Sequence, residues 1–383
     1  MSSCAALPTL RSASPLWKLA GLSLDPELEA AVVAADPVAL QDATTRAARG
    51  RMEAFLRGVR AYHAHPYRRE ATTAPVLWSD GSTRVHDFGG GAGAGAGDSP
   101  AVLLVPSLVN RAQILDLMPD CSLARFLARS GTRPYLLDWN APGAAERGFG
   151  LADYVARLEG AIDRIVAQTG GPVAVVGYCM GGLLALAAAL GRPDTVSGLA
   201  LLATPWDFHA DQAERARATA SVVAPWLPMF ERDGMPVDVI QTLFTALDPF
   251  LASRKFIAFA DLDPDSAEAR RFVALEDWLN DGVPLAGPVA RETILGWYGE
   301  NEPGEARWAV GGRPIRPETF DRPALVVVPD TDRIVPPASA LALGRLLPNA
   351  ELRLARTGHI GMIVGSRAER EVWKPLAGWV RAL

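Results

Sequence analysis

The sequence predicts an α/β protein in which helices cover both faces of a mostly parallel β-sheet. From residue 101 onward, short and nearly continuous apolar runs alternate with longer amphipathic stretches. Parallel strands that are buried on both faces have such apolar sequences, and they need helical crossovers between them. The chain has 383 residues, of which 49% are hydrophobic and 21% charged, so it can bury a large core of this kind.

Five apolar runs are predicted to be buried strands, and a sixth run of alternating polarity is predicted to be a strand nearer the sheet edge. The five are 101–105 (AVLLV), 134–137 (PYLL), 173–176 (VAVV), 199–202 (LALL) and 324–328 (ALVVV), and the sixth is 351–355 (ELRLA). Helices are predicted between them at 122–129, 151–168 and 338–347. Functional residues are expected beyond the carboxyl ends of the strands, where open α/β sheets place their sites.

The chain is predicted to divide into two domains. Residues 1–75 form an N-terminal helical extension, because 26–35 and 37–62 have helical spacing of apolar residues and each begins with proline. Residues 76–383 form the main α/β domain. Within it the strand signal disappears over about 205–320, and this stretch is predicted to be a helical cap inserted over the C-terminal edge of the sheet.

The composition argues against several kinds of partner and compartment. The net charge of −5 and the absence of long Lys/Arg runs argue against a basic surface that would bind nucleic acid. The glycine-rich run at 89–97 is predicted to be a flexible tip or linker, because no Lys-Ser/Thr follows it as in a phosphate-binding loop. The longest apolar helical stretch, 183–190, is too short to span a membrane. Three cysteines and no secretory leader pattern predict a cytoplasmic protein.

A tight turn at residues 177–182 (GYCMGG) carries the strongest functional signal. The apolar strand 173–176 leads into it and the helical stretch 183–190 follows it. This strand–turn–helix context is that of the nucleophile elbow of the α/β-hydrolase fold, with Cys179 in the place of the usual serine. The glycines keep the turn free of side chains, and the start of a helix favours a thiolate. The alternative is a buried structural cysteine flanked by packing glycines.

The base that activates Cys179 is predicted to be His359. Of the five histidines, this one lies in a glycine-flanked loop, 357–361 (TGHIG), that follows the last predicted strand. The α/β-hydrolase fold places its histidine there. The other four histidines, His63, His65, His86 and His209, lie in the N-terminal region, before the glycine run and at the start of the cap.

The acid is predicted to be Asp332, which follows strand 324–328 and precedes Ile334-Val335-Pro336. Asp330, two residues earlier, is the alternative and is interpreted as a turn residue. Cys179, Asp332 and His359 then occur in the order nucleophile, acid, histidine that the fold requires.

The oxyanion hole is predicted to combine the backbone N–H of Met180 with that of Val109, from the loop 105–111 after the first core strand. No metal site is predicted, because the histidines and cysteines show neither CxxC nor HExxH spacing.

Beyond the elbow, the sequence resembles the polyhydroxyalkanoate synthases, in particular their small-subunit type. The box 177–182 is similar to the Gly-x-Cys-x-Gly-Gly box of that family. Further similar segments, in chain order, are 105–111 (VPSLVNR) with 114–117 (ILDL), 138–142 (DWNAP), 204–208 (TPWDF), 276–281 (EDWLND) and 358–361 (GHIG) with Trp373 and Trp379. The resemblance covers about 100–383. Two departures are Ser107, where the family often has a second proline, and Asn140, where glycine is frequent.

The resemblance implies a thiol acyltransferase. Cys179 would attack the thioester of an (R)-3-hydroxyacyl-CoA, His359 would take the thiol proton, and Asp332 would orient His359 or help to deprotonate the incoming 3-hydroxyl. Coenzyme A would enter as part of the substrate, with no bound cofactor. The implied partners are the growing polyester, its granule surface, and a second synthase subunit or a second copy of the chain.

Two other functions remain open from the sequence. A thiol hydrolase, either an intracellular polyhydroxyalkanoate depolymerase or an acyl-CoA thioesterase, would use the same three residues and transfer the acyl group to water. A non-catalytic protein would instead bind granules or a partner subunit. The presence of Cys179, Asp332 and His359 together argues against this last class.

Overall fold

The computed structural model describes residues 25–70, 72–89, 99–211, 213–248 and 250–383. They form two compact units. The first contains residues up to Tyr67 together with 249–273, and the second contains 68–248 together with 274–383. The glycine-rich run predicted at 89–97 lies outside the described residues except for Gly89.

The second unit is built on an eight-stranded sheet with the spatial order β1-β2-β6-β3-β7-β8-β11-β12. Its strands are β1 Val76–Asp80, β2 Thr83–Asp87, β3 Ala101–Val105, β6 Arg133–Asp138, β7 Val173–Tyr178, β8 Val196–Leu202, β11 Ala324–Pro329 and β12 Ala350–Ala355. Two small antiparallel pairs accompany it, β4 Asp116–Met118 with β5 Cys121–Ser122, and β9 Ala309–Val310 with β10 Arg313–Pro314.

All six predicted strands are present, and the neighbouring pairs among β6, β3, β7, β8, β11 and β12 are parallel. β3, β7 and β11 are buried along their whole length, as their continuous apolar sequences predicted. β12 is the last strand of the sheet and is mostly exposed, in agreement with its predicted place near an edge.

The hairpin of β1 and β2 was not predicted. These strands pair antiparallel with each other, and β2 pairs antiparallel with β6, so they extend the opposite edge of the sheet. Their sequences, VLWSD and TRVHD, mix polar and apolar residues because part of each strand faces solvent. Gly81 has φ +55°, which the two-residue turn between the strands requires and which glycine adopts without strain.

Helices cover the sheet and fill the long connection between β8 and β11. In chain order the helices of the second unit are Leu123–Arg129, Leu151–Thr169, Met180–Gly191, Ala213–Val223, Leu227–Asp233, Val237–Leu247, Gly287–Arg291, Pro337–Leu346, Gly361–Val364 and Lys374–Arg381, with π-helical turns at Glu292–Gly299 and Glu369–Trp373. The helix Ala267–Asn280 crosses the division between the units at Val273.

The helix after Cys179 is buried on every side from Met180 to Ala189 because it lies in the core. Among the described helices, none combines the length and apolarity that a membrane crossing needs.

The first unit consists of helices from two distant parts of the chain. Pro26–Ala34 and Pro37–Ala64 begin where predicted, each after an aspartate, Asp25 or Asp36, whose side chain caps the first turn. Leu251–Phe259, from the predicted cap, packs against the second of these helices through Phe256. A Cβ at Gly58 would collide with the Phe256 carbonyl, so the two helices touch backbone to backbone.

Within the second unit, Glu146 joins the β1–β2 turn to the helix Leu151–Thr169. Its carboxylate accepts the N–H of Ser82 at 2.7 Å and that of Gly143 at 2.5 Å, and it also pairs with Arg157. Glu146 is buried, which alone would raise its pKa. The two N–H donors and the Arg157 guanidinium outweigh burial and lower the pKa of Glu146 from 4.5 to about 2.

We expect Glu146→Gln to lower the free energy of unfolding at pH 7 by about 2 kcal/mol, since it removes the charge from a buried, hydrogen-bonded group. Because the folded-state pKa is depressed, this stabilisation is complete above about pH 4.5 and is lost as the pH falls towards 2. Urea unfolding of both proteins at several pH values measures the difference. Glu300→Gln, at an exposed ion pair with Arg307, is the control, with a change expected below about 0.5 kcal/mol. Equal effects of the two substitutions would contradict the prediction.

Candidate active site

Cys179 occupies a strained turn between β7 and the buried helix that follows it. Its backbone has φ 55° and ψ −129°, outside the regions that residues with a side chain normally adopt. The strained conformation is imposed on both sides, because β7 is paired with β3 and β8 and the helix begins at Met180. The side chain is half-buried. This geometry is that of a nucleophile elbow.

Two glycines make the turn sterically feasible. A Cβ at Gly177 would collide with the backbone of Gly182, because the strand and the helix approach each other directly at the turn. A Cβ at Gly182 would collide with the side chain of Thr204, which follows β8. The glycines that the sequence placed around Cys179 are therefore required by close packing.

The ends of β11 and β12 bring an acid and a base together. His359 Nδ1 lies 2.7 Å from Asp332 Oδ2, and both residues are buried. The other oxygen of Asp332 accepts the N–H groups of Ile334 at 2.8 Å and Val335 at 2.9 Å. Asp330 is exposed, and its N–H continues the pairing of β11 with β12 by donating to the Ala355 carbonyl. Of the two candidate acids, the structure places Asp332 next to His359.

Cys179 lies close enough to His359 for its charge to act on the imidazole. Burial by itself would lower the pKa of His359, since a charged imidazole is poorly solvated there. The charge of Cys179 and the hydrogen bond with Asp332 outweigh burial and raise the pKa of His359 from 6.5 to about 10. His359 is thus a strong proton acceptor whose charged form is stabilised on two sides.

Contacts of the Asp332 and His359 loops, which the sequence did not predict, fix their positions. The Tyr178 hydroxyl donates to the His359 carbonyl at 3.2 Å, so the residue before Cys179 holds the base. The Thr331 hydroxyl donates to the Thr357 carbonyl at 2.9 Å, which ties the acid loop to the histidine loop. Tyr178 lies inside the glycine box, but nothing in its sequence position shows where its hydroxyl points.

A second group of residues, after β8 and in the cap, was also not predicted from the sequence. Asn301 is buried with φ 51°, and its amide donates to Asp207 at 2.9 Å while its side-chain oxygen accepts the Phe208 N–H at 2.8 Å. These bonds connect the segment after β8 to the π-helical turn that contains Tyr298. Burial and the charge of Cys179 raise the pKa of Tyr298 to about 12, so its hydroxyl stays protonated close to the nucleophile.

The two predicted oxyanion donors differ in their surroundings. Met180 is the first residue of its helix, so its N–H has no acceptor within that helix. The N–H of Val109 donates to Ser107 Oγ at 3.2 Å. That the Val109 N–H acts as an oxyanion donor stays a prediction.

The remaining histidines have structural partners or ring contacts elsewhere. In three cases a ring N–H donates to a backbone carbonyl: His65 to Pro264, His86 to Ala74 and His209 to Tyr298. The ring of His63 contacts Tyr62. In the part of the chain that the structure describes, no group of three or more His, Cys, Asp or Glu side chains is arranged to hold a metal.

Comparisons with known proteins agree with this architecture. Residues 100–222 match the sequence model of the α/β-hydrolase fold family. A solved structure of the Rv0554 protein from Mycobacterium tuberculosis shares the fold, with a TM-score of 0.51 at 15% identity over 79% of this chain and 94% of the other. The chain is an α/β-hydrolase-fold protein with a cysteine at the elbow, as the sequence predicted.

Relatives of higher similarity identify the family. The poly(3-hydroxyalkanoate) polymerase subunit PhaC of Synechocystis is 30% identical over 290 residues, which cover 73% of this chain and 77% of that protein. The PhaC subunit of Allochromatium vinosum is 29% identical, covering 73% and 80%. That of Haloferax mediterranei is 27% identical over 73% of this chain, which spans 58% of the length of that relative. The chain belongs to the poly(3-hydroxyalkanoate) polymerase family, which confirms the resemblance seen in the motifs.

We expect Asp332→Asn to lower the pKa of His359, because it removes the negative charge that favours the imidazolium. Since the folded-state pKa of about 10 exceeds the ordinary 6.5, protonation of His359 stabilises the fold fully below about pH 6.5 and this stabilisation is lost as the pH rises towards 10. In the variant the loss should be complete at lower pH. An NMR titration of labelled histidine measures the shift. The exposed neighbour provides the control, Asp330→Asn, and an unchanged His359 titration in Asp332→Asn would refute the assignment.

Proposed function

We propose that this chain is a polyhydroxyalkanoate synthase that polymerises (R)-3-hydroxyacyl-CoA through an acyl group bound to Cys179. The observation that carries the proposal is the buried pair of Asp332 and His359, 2.7 Å apart, beside Cys179 on the elbow of a chain from the polymerase family. The elements that hold these three residues are the same ones that position a nucleophile, a base and its orienting carboxylate in acyl transfer.

In the first half-reaction, Cys179 Sγ attacks the thioester carbonyl while its proton passes to His359 Nε2. The carbonyl oxygen becomes an oxyanion, and the N–H of Met180, the first residue of its helix, would stabilise it. The new S–C bond remains, the bond to coenzyme A breaks, and the departing thiolate takes the proton from His359. Acyl transfer between two thiols is nearly balanced in free energy, so cysteine suits a reaction that must repeat.

In the second half-reaction, the 3-hydroxyl oxygen of the incoming unit attacks the thioester carbonyl on Cys179. A C–O ester bond forms and the C–S bond to Cys179 breaks. His359 takes the hydroxyl proton and returns it to the leaving Cys179 thiolate. Asp332 is better suited to orienting His359 than to deprotonating the hydroxyl, because one oxygen faces His359 Nδ1 and the other accepts two backbone N–H groups. The raised pKa of His359 supports its use as the base that takes the Cys179 proton in the first half.

The relatives are named as polymerase subunits, which supports action together with a second subunit or a second copy of this chain. Coenzyme A belongs to the substrate, and the proposal requires no bound cofactor. The polyester granule surface is the place where such an enzyme would meet its product.

The test is incubation of the purified chain with (R)-3-hydroxybutyryl-CoA, with and without a candidate partner subunit. We expect release of coenzyme A together with insoluble polyester. Coenzyme A release with free 3-hydroxybutyrate would instead indicate a thioesterase, and no turnover under either condition would contradict the synthase.

Replacement of the nucleophile gives the matching prediction for its chemistry. Cys179→Ser should lower the polymerisation rate by at least about 100-fold, because a hydroxyl beside the same base is a far weaker nucleophile than a thiol. Cys121→Ala is the control, since Cys121 is buried and its thiol donates to the Val364 carbonyl at 3.6 Å. Full activity of Cys179→Ser, measured as coenzyme A release, would exclude the thiol mechanism.

A further inference from the structure

The carbonyl of Pro106 lies where three structural elements of the second unit meet. It belongs to the loop 105–111, which leaves the carboxyl end of β3. β3 lies between β6 and β7 in the sheet and is parallel to both. The turn after β6 and the elbow after β7 therefore flank this loop at the same edge.

On one side, the elbow packs directly on this carbonyl. A Cβ at Gly181 would collide with the carbonyl oxygens of both Val105 and Pro106. The first turn of the helix that carries Met180 thus rests on the 105–106 peptides. A shift of this peptide moves the loop relative to the N–H of Met180.

On the other side, an indole holds the same carbonyl. Trp139 follows β6 directly, is buried, and donates its Nε1–H to the Pro106 carbonyl at 3.1 Å. Its ring packs edge-on against Tyr154, with 5.4 Å between centroids. This hydrogen bond joins the β6 turn to the peptide on which the elbow rests.

The far end of the loop is anchored independently. Val283 N–H donates to the Val109 carbonyl at 3.2 Å, and the indole of Trp278 donates to the Arg111 carbonyl at 2.8 Å. With the carbonyls of Pro106, Val109 and Arg111 all engaged as acceptors, the loop has few ways to rotate. Its anchor nearest to the elbow is the bond from Trp139.

We infer that Trp139 is a positioning residue for acyl transfer: its N–H sets the distance between the 105–111 loop and the elbow, and so the shape of the oxyanion site. The inference rests on the proposed acyl chemistry at Cys179 but not on polymerisation. A displaced oxyanion donor weakens transition-state binding without affecting the nucleophile itself. Loss of the Trp139 N–H should therefore slow acylation of Cys179 and leave the reactivity of its thiol unchanged.

Two reactions of Cys179 separate these effects. With p-nitrophenyl acetate, a bond from Sγ to the acetyl carbon forms through a tetrahedral oxyanion, and p-nitrophenolate and a proton leave. With iodoacetamide, Sγ displaces iodide in one step and no oxyanion forms. In a chain whose other two cysteines carry Cys4→Ser and Cys121→Ser, both reactions report on Cys179 whether or not the chain makes polymer, so failure of the synthase assay does not decide this one.

For Trp139→Phe, we expect the rate of acylation by p-nitrophenyl acetate to fall about tenfold or more, while the alkylation rate changes less than about twofold. With (R)-3-hydroxybutyryl-CoA, kcat should fall with KM nearly unchanged. The control is Trp373→Phe, a buried tryptophan in ring contact with Phe126 whose indole N–H has no acceptor among the described residues. This control should change neither rate by more than about twofold.

If Trp139→Phe does not fold, 3-benzothienylalanine at position 139 decides the question, because it keeps the bicyclic ring and lacks the N–H. An equal fall in acylation and alkylation in the folded variant would mean that Trp139 supports the whole elbow. Unchanged acylation would mean that its ring packing suffices. Either result would overturn the inference.

Discussion

The strained backbone of Cys179 is the constraint on which the rest of the active site depends. A residue with a side chain remains at φ 55° only when its surroundings prevent relaxation. Here the strand before the turn is paired on both sides, and the helix after it is buried in the core. The absence of side chains at Gly177 and Gly182 is what allows strand, helix and β8 to approach closely enough to hold it.

Stabilisation of buried charge is the second requirement, and the fold meets it by giving Asp332 and His359 hydrogen-bond partners. A carboxylate and an imidazole in the interior would be strongly destabilised if either lacked a partner. Asp332 has three donors and His359 pairs with Asp332 beside Cys179, while the Tyr178 hydroxyl fixes the His359 backbone. The same contacts that stabilise the charges orient them, so stability and catalytic geometry are not separate properties of this site.

Much of this arrangement was predictable from the sequence, because strands buried on both faces and a glycine-flanked nucleophile leave strong local signals. The six strands, the elbow and the acid–histidine pair were found in this way. The β1–β2 hairpin was missed because a half-exposed edge strand lacks a continuous apolar run. The partners of Asn301 and Tyr178 were missed because they are side-chain contacts between residues more than 90 positions apart. The packing of Leu251–Phe259 with an N-terminal helix likewise leaves no trace in local periodicity.

The parallel register of β11 and β12 pairs Pro329 with Ala355, and the loops that deliver Asp332 and His359 start from this level. One inserted residue in either strand would move its loop by about 3.3 Å and turn every following side chain to the other face. Changes in chain length near these strands are therefore incompatible with the site. The connection between β8 and β11 carries no such register. Evolutionary change in length, and with it change in the acceptor that reaches Cys179, is expected to concentrate there.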